Sequence, residues 1–369
     1  MRGTTYATRE SATKTATRVG GLGFDLLFAI LSTVFVAGIY LDGWAHVNTP
    51  ALETFFTPWH TVLYTGFLAV AISLMTAVWL NHRQGLSWRS AIPVGYGLSV
   101  LGMFMFAIGG AGDLAWHETL GIEADVAALL SPPHLLLGTG VALTVSGPLR
   151  AAWRRTGIPS LWRTHLPMLL SLGLLLAILT FLTQYANPFA TTWAAARFRP
   201  DPNTAGVTEQ VLTRMTRVQQ ALGVTGFLLQ AGILMGLLLP VIRRWTLPIG
   251  GITLILTLNV ALIAFMRGRL TATGPLPLIA VALLAGIAAD LLCRVLRPAS
   301  DATRNVRIVA FAIPALLYGL YFAALQLMGG GVWWTLPLWS GSIMLGGIAG
   351  WLLSFVLIPV GTTEGPKFR

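Results

Sequence analysis

Long apolar runs separated by short polar segments make up most of this chain, and ten of the runs approach the ~20 residues that cross a hydrocarbon core as helix. They cover about residues 22–42, 58–80, 92–116, 132–149, 166–186, 221–242, 247–266, 275–294, 307–328 and 334–359. The pattern predicts an all-α, polytopic integral membrane protein of about ten transmembrane helices. The first run, from Leu22 to Leu41, is too long for the core of a signal peptide, and cleavage after it would cut beside Asp42. It is therefore expected to stay as span one, behind a Thr/Ser/Arg-rich tail of residues 1–21.

Composition supports this reading. Of the 369 residues 55% are hydrophobic and only 10% charged, too few polar groups to cover a soluble surface. A net charge of +11 would suggest a nucleic-acid partner in a soluble chain. Here the basic residues sit in short loops beside apolar spans, where they set topology and meet anionic lipid, so no nucleic-acid partner is expected. With both termini placed in the cytoplasm, eighteen of the twenty-four Lys and Arg fall on the cytoplasmic side. The six left outside are Arg197, Arg199, Arg214, Arg217, Arg267 and Arg269. The lone cysteine, Cys293, lies in an apolar run and offers neither an internal disulfide nor a thiolate metal site.

Against this background one polar pattern stands out because it occurs twice. Asp42 is followed by His46, Pro58 and His60; Asp113 is followed by His117, Pro132 and His134. The likeness continues through Leu63, Thr65 and Gly66 and their counterparts Leu137, Thr139 and Gly140. The two Asp-x-x-x-His units lie 71 residues apart and, with the second His of each, use four of the six histidines. In the predicted topology Asp42, His46, His60, Asp113, His117 and His134 all fall at the outer ends of spans one to four. The repeat is thus a tandem pair of helical hairpins in one orientation rather than an inverted transporter repeat.

Residues i and i+4 share a helix face, so each unit presents a carboxylate beside an imidazole, and the returning helix adds a second imidazole. A two-His, one-carboxylate set with open positions is the donor set of a catalytic metal site. The Pro residues mark first turns, where the helix dipole disfavours a protonated His and keeps its lone pair available. A bare Asp at membrane depth costs ~2.5–3.5 kcal/mol, which a cation would offset. The bland reading of a single such unit is an interfacial hydrogen-bonded pair; the duplication and the shared face favour metal. Iron, zinc and copper all accept this set.

Glu53, Glu118, Glu123 and Asp125 in the outer loops read as solvated residues, with proton carriage or a hydrogen bond to a ligand as the alternative. Trp44, Trp59 and Trp116 flank the sites as belt residues or pocket walls. Gly109, Gly110 and Gly112 would let another helix approach Asp113 closely. His82, His165 and Asp25 are placed in or near the cytoplasmic face and left out of the site. In the second half no ionisable cluster is evident: Asp290 is near a cytoplasmic end, Gln230, Asn259 and Gln326 stand alone, and Gly341, Gly346, Gly347 and Gly350 suit close helix packing.

The duplicated Asp-x-x-x-His…His pattern in an integral membrane chain resembles the C subunit of the particulate methane and ammonia monooxygenases, the copper membrane monooxygenases. The resemblance covers about residues 22–150. It implies that Asp42, His46 and His60 match one copper-binding triad and Asp113, His117 and His134 another, near the periplasmic side, with at least one tied to oxidation of small substrates. It also implies partner subunits. In that family the second triad can begin with Asn where this chain has Asp113, and spans five to ten have no counterpart in the match.

These observations leave four readings. The first is a metalloprotein of the cell membrane carrying copper, with iron and zinc as alternatives, that oxidises a small apolar substrate with oxygen. The others are copper handling without catalysis, a zinc-dependent membrane hydrolase with Glu123 as base, and a transporter. The expected layout is a tail of residues 1–21, a metal-binding module of two tandem hairpins at 22–150, and a six-helix region at 151–369. The last includes an outer amphipathic segment at 187–220, read as a surface lid or connector, and the whole is free to form a homo-oligomer or bind partner subunits.

Overall fold

The computed structural model describes residues 18–49, 57–121, 125–157, 159–203, 206–268, 276–298, 302–327 and 330–357. Residues 1–17, Glu53, Glu123 and the side chain of Asp125 lie outside the described residues. Among those described the fold is all-helical, with α1 Leu22–Asn48, α2 Pro58–Arg83, α3 Trp88–Ala91, α4 Gly97–Leu120, α5 Asp125–Leu130, α6 Pro132–Val145, α7 Gly147–Trp153, α8 Trp162–Leu182, α9 Glu209–Arg244, α10 Gly251–Met266, α11 Leu276–Leu296, α12 Thr303–Leu327 and α13 Leu336–Leu357. Eight of these are long and apolar enough to cross a membrane: α1, α2, α4, α8, α9, α11, α12 and α13. The chain is a multi-pass membrane protein.

The other two predicted spans differ from expectation for physical reasons. The fourth is two helices, α6 and α7, meeting at 41°. Pro148 at the start of α7 has no N–H for the helix ladder, so the bend falls there. Neighbours take over the freed groups. The Ser171 hydroxyl of α8 donates to the Val145 carbonyl (2.6 Å) and accepts from the Leu149 N–H (3.2 Å), inserting itself into one turn of the ladder. Ser99 donates to the Thr144 carbonyl at 2.9 Å. The seventh span, α10, has 16 residues, about 24 Å of helix against a hydrocarbon core of about 30 Å.

The repeat is visible in the packing. Outgoing helices correspond at an offset of 71 and returning ones at 74. A Cβ on Gly38 would lie 2.9 Å from the Leu63 Cα, and one on its counterpart Gly109 would lie 3.1 Å from the backbone of Leu137, the counterpart of Leu63. Likewise Gly66 faces the backbone of Phe35 (2.7 Å) as Gly140 faces that of Phe106 (2.7 Å). Each hairpin, α1 with α2 and α4 with α6, is thus closed by the same two glycine contacts. The equivalent residues Phe35 and Phe106 then pack on each other, ring centroids 5.0 Å apart, and Phe67 joins them at 4.6 Å from Phe106. Like faces of the two copies therefore meet along an approximate two-fold axis.

The double hairpin leans on α8, which touches α1, α6 and α7 on one side and α9 and α10 on the other. It is the most enclosed helix, with 67% of its apolar window buried. Polar side chains tie the centre together: Tyr40 donates to the Ala177 carbonyl (2.8 Å), Asn259 to Thr180 (2.6 Å) and Gln230 to Thr183 (2.9 Å). The amides expected to stand alone are in fact hydrogen-bonded. Asp290 accepts from the backbone of Gly250, Ile252 and Thr253, each at 3.0 Å, and so caps α10 from α11.

Two contacts fix which helix ends share a face. Asn48, at the end of α1, donates to Met266 at the end of α10 (3.1 Å), and Arg243, at the end of α9, donates to Leu357 at the end of α13 (3.2 Å). The stretch after α8 is an ordered loop through Phe198 that pairs with Val332 and Trp333, with Ala196 donating to Gly331 and Trp333 to Ala194. The amphipathic positions Val211, Met215 and Val218 belong to α9 itself, which runs unbroken for 36 residues. They continue that helix instead of forming a separate segment, because nothing between Glu209 and Leu222 breaks it.

Candidate metal centre

Each triad is assembled by one hairpin. Asp42 and His46 stand one turn apart near the end of α1, and His60 comes from the first turn of α2. Asp113 and His117 occupy the last two turns of α4, and His134 the first turn of α6. The helix starts are set locally: Thr57 caps α2 by accepting from the His60 N–H (3.1 Å), and Pro58 and Pro132 sit where a missing N–H costs nothing. α4 ends at Gly121, whose φ of +86° suits glycine and closes the helix one turn after His117.

Within each set the donor atoms all lie within 4.8 Å of one another. His60 Nε2 is 3.4 Å from Asp42 Oδ1 and His46 Nε2 is 3.7 Å from Asp42 Oδ2. In the second set His117 Nε2 and His134 Nδ1 lie 3.4 and 3.5 Å from the same oxygen, Asp113 Oδ1. These separations are too long for good hydrogen bonds. They match the edge of a tetrahedron whose metal–ligand bonds are about 2.1 Å, which is about 3.4 Å.

The carboxylates carry the stronger sign. Asp42 Oδ1 and Asp113 Oδ1 are buried with no hydrogen-bond partner, a condition that costs an anion dearly in an apolar setting. Two imidazole nitrogens flank each carboxylate: His60 faces Asp42 Oδ1 and His46 faces Asp42 Oδ2, whereas both histidines of the second set face Asp113 Oδ1. The donor sets therefore fit a small divalent cation, and the hydrogen bonds around them help to orient the rings. His117 places its other nitrogen, Nδ1, 3.4 Å from the Gly121 carbonyl, whereas the His134 nitrogen that faces Asp113, Nδ1, is itself 2.8 Å from the Ser131 hydroxyl, a contact that a cation there would displace. The sites also differ in access: the His46 side chain is 40% exposed, whereas Asp113 is 4% exposed.

The two sets are neighbours. His117 and His134 lie within electrostatic reach of His46, and the charges of both Asp42 and Asp113 act on the Tyr64 hydroxyl. Tyr64 was not among the expected site residues. It follows His60 by one turn, its ring 6.1 Å from that imidazole, and its hydroxyl fills the space that a Cβ on Gly110 would enter at 3.0 Å. The counterpart of Tyr64 in the second copy is Gly138, which is packed against Leu182. A tyrosine one turn inside a histidine of the repeated motif was the available signal, but it lacks the repetition that marks those six.

Of the flanking residues, Trp44 packs edge-on to Trp59 (5.7 Å) and near-parallel to Phe265 of α10 (6.4 Å), walling the first set. Gly109 and Gly110 do permit close approach, to Leu137 and Tyr64, while nothing approaches Gly112. The excluded residues have other partners. His82 stacks on Trp88, and His165 is buried in the first turn of α8 rather than in a loop. Asp25 is buried between Arg155 and Tyr96 at the far face. No protein-family model, curated protein or solved structure matches the chain.

Proposed function

We propose that this chain is a membrane metalloenzyme whose two triads each bind one metal ion, copper ahead of iron and zinc, and that it oxidises a small apolar substrate with oxygen. The observation that carries the metal reading is a carboxylate with one orphaned oxygen and two imidazoles beside it, present twice. Asp42, His46 and His60 would hold one ion, and Asp113, His117 and His134 the other. Copper is preferred over the remaining divalent metals by the affinity order for imidazole-rich sites and by the likeness of the motif to the copper membrane monooxygenases. Bound copper would supply one-electron chemistry toward oxygen; net hydroxylation also consumes two electrons and two protons from a donor outside this chain.

The protein's own contribution is positional. The helix pairs preset both imidazoles against the carboxylate, and the aromatic layer of Phe35, Phe67 and Phe106 beneath them excludes water and suits an apolar substrate arriving from the bilayer. Thirteen described arginines lie at the ends remote from the triads and five at the triad face. That asymmetry supports an extracytoplasmic triad face.

Zinc is the second reading, because the tetrahedral separations suit it equally well and a fourth position is open for water. Plasma mass spectrometry on protein purified without chelator, beside a His60→Ala/His134→Ala variant, separates the cases. Copper near two per chain, lost in the variant, is expected. Zinc redirects the search to lipid ester or amide hydrolysis, and no metal in either protein overturns the proposal.

A further inference from the structure

A groove between α12 and α13 lies on the face remote from the triads, and nothing in the metal reading uses it. Its mouth is formed by Thr303, Arg304 and Arg307 in the first turns of α12, and its lower walls by Ile308, Phe311 and Trp351. The walls are fixed by tight helix packing: a Cβ on Gly347 would meet the Phe311 ring at 2.7 Å, and one on Gly350 would overlap the Ala310 carbonyl. Ile308 and Trp351 are 40% and 42% exposed.

Among the described residues no carboxylate pairs with the arginines of the mouth, Arg304 and Arg307; the only arginine in an ion pair there is Arg155. Arg307 is held in place by the Phe355 ring, 4.0 Å from its guanidinium carbon, and its Nε is buried without a hydrogen-bond acceptor. A guanidinium fixed this way, at the start of a 25-residue helix, calls for an anionic oxygen donor. Phe311 lies eight residues below Thr303, about 12 Å along the helix, so the groove is charged for a headgroup's depth and apolar beneath.

We propose that this groove binds one anionic phospholipid, its phosphate on Arg304 and Arg307 and an acyl chain along Ile308, Phe311 and Trp351. A free phosphate would leave the apolar wall unused, and a zwitterionic lipid would leave one arginine uncompensated. The site stands independently of the metal proposal.

The test is native mass spectrometry of the full chain released from bilayers containing phosphatidylglycerol and phosphatidylcholine, for wild type and Arg304→Gln/Arg307→Gln. Wild type is expected to retain one phosphatidylglycerol per chain in preference to phosphatidylcholine. The double variant should lose that preference by roughly 30-fold, the equivalent of about 2 kcal/mol for two arginines. A Trp351→Ala variant should lower retention of both lipids. Unchanged melting temperature and metal content in the variants separate lipid loss from misfolding. Equal retention of both lipids by wild type, unchanged selectivity in the double variant, or displacement of the lipid by millimolar inorganic phosphate would each overturn the proposal.

Discussion

Asp113 shows how a buried carboxylate can be a liability without a cation beside it. Its carboxylate is 4% exposed and one oxygen has no donor, so in metal-free protein the charge is poorly solvated. Asp113→Asn neutralises it at nearly constant volume. In chelator-treated protein at pH 8, above the ordinary imidazole range, the variant is expected to be more stable than wild type by about 1–3 kcal/mol. With metal the order should reverse, because only wild type gains binding energy. Melting curves in detergent with and without chelator check both halves, and a metal-free variant less stable than wild type would remove the main support for a cation. The six residues that the structure gathers into two sets were legible in the sequence because spacing and duplication point to them together. Tyr64 was not, since it lacks a second copy, and neither was the Asp25–Arg155 pair, whose members are 130 residues apart.

At the level of helices, the glycine contacts divide into necessary and incidental ones. Gly346, Gly347 and Gly350 each face a neighbouring side chain or carbonyl, whereas nothing lies within 4 Å of a Cβ on Gly341. Gly350→Ala is expected to destabilise the α12–α13 pair by about 1–3 kcal/mol through overpacking, and Gly341→Ala to be neutral or slightly stabilising. Denaturant titration of the two variants in mixed micelles measures the contrast; equal effects would mean the helices separate readily at Gly350. A run of small residues predicts close packing, but only the partner helix decides which of them is used. The bend at Pro148 was legible in the same partial way: the proline announces a break, while the rescue by Ser171 depends on a helix that sequence spacing alone does not locate.

For the whole molecule, the distribution of arginines predicts orientation. In a Cys293→Ser background, Gln210→Cys at the triad face should react with an impermeant maleimide added to intact cells, and Gln84→Cys at the opposite face only after lysis. The reverse pattern would turn the triads toward the cytoplasm and invalidate the extracytoplasmic assignment. Membrane class and helix periodicity were readable from composition, but the number of full crossings was not, because α10 is short and α6 and α7 meet at an angle. The unbroken length of α9 was hidden by its change from amphipathic to apolar midway.

The contact of Phe35 with Phe106 has one more consequence. When two separate, identical subunits meet through the same residue, every substitution at the contact is made twice and the halves stay alike. Joining the halves in one chain removes that constraint while leaving the shared interface in place. Each triad then sits in a scaffold that can change without its twin, and the difference between Tyr64 and Gly138 shows that it has: one centre has acquired an aromatic hydroxyl at its base, and the other a close helix crossing. Equivalent donor sets need not have equivalent reactivity, and the two sites are best assayed one at a time.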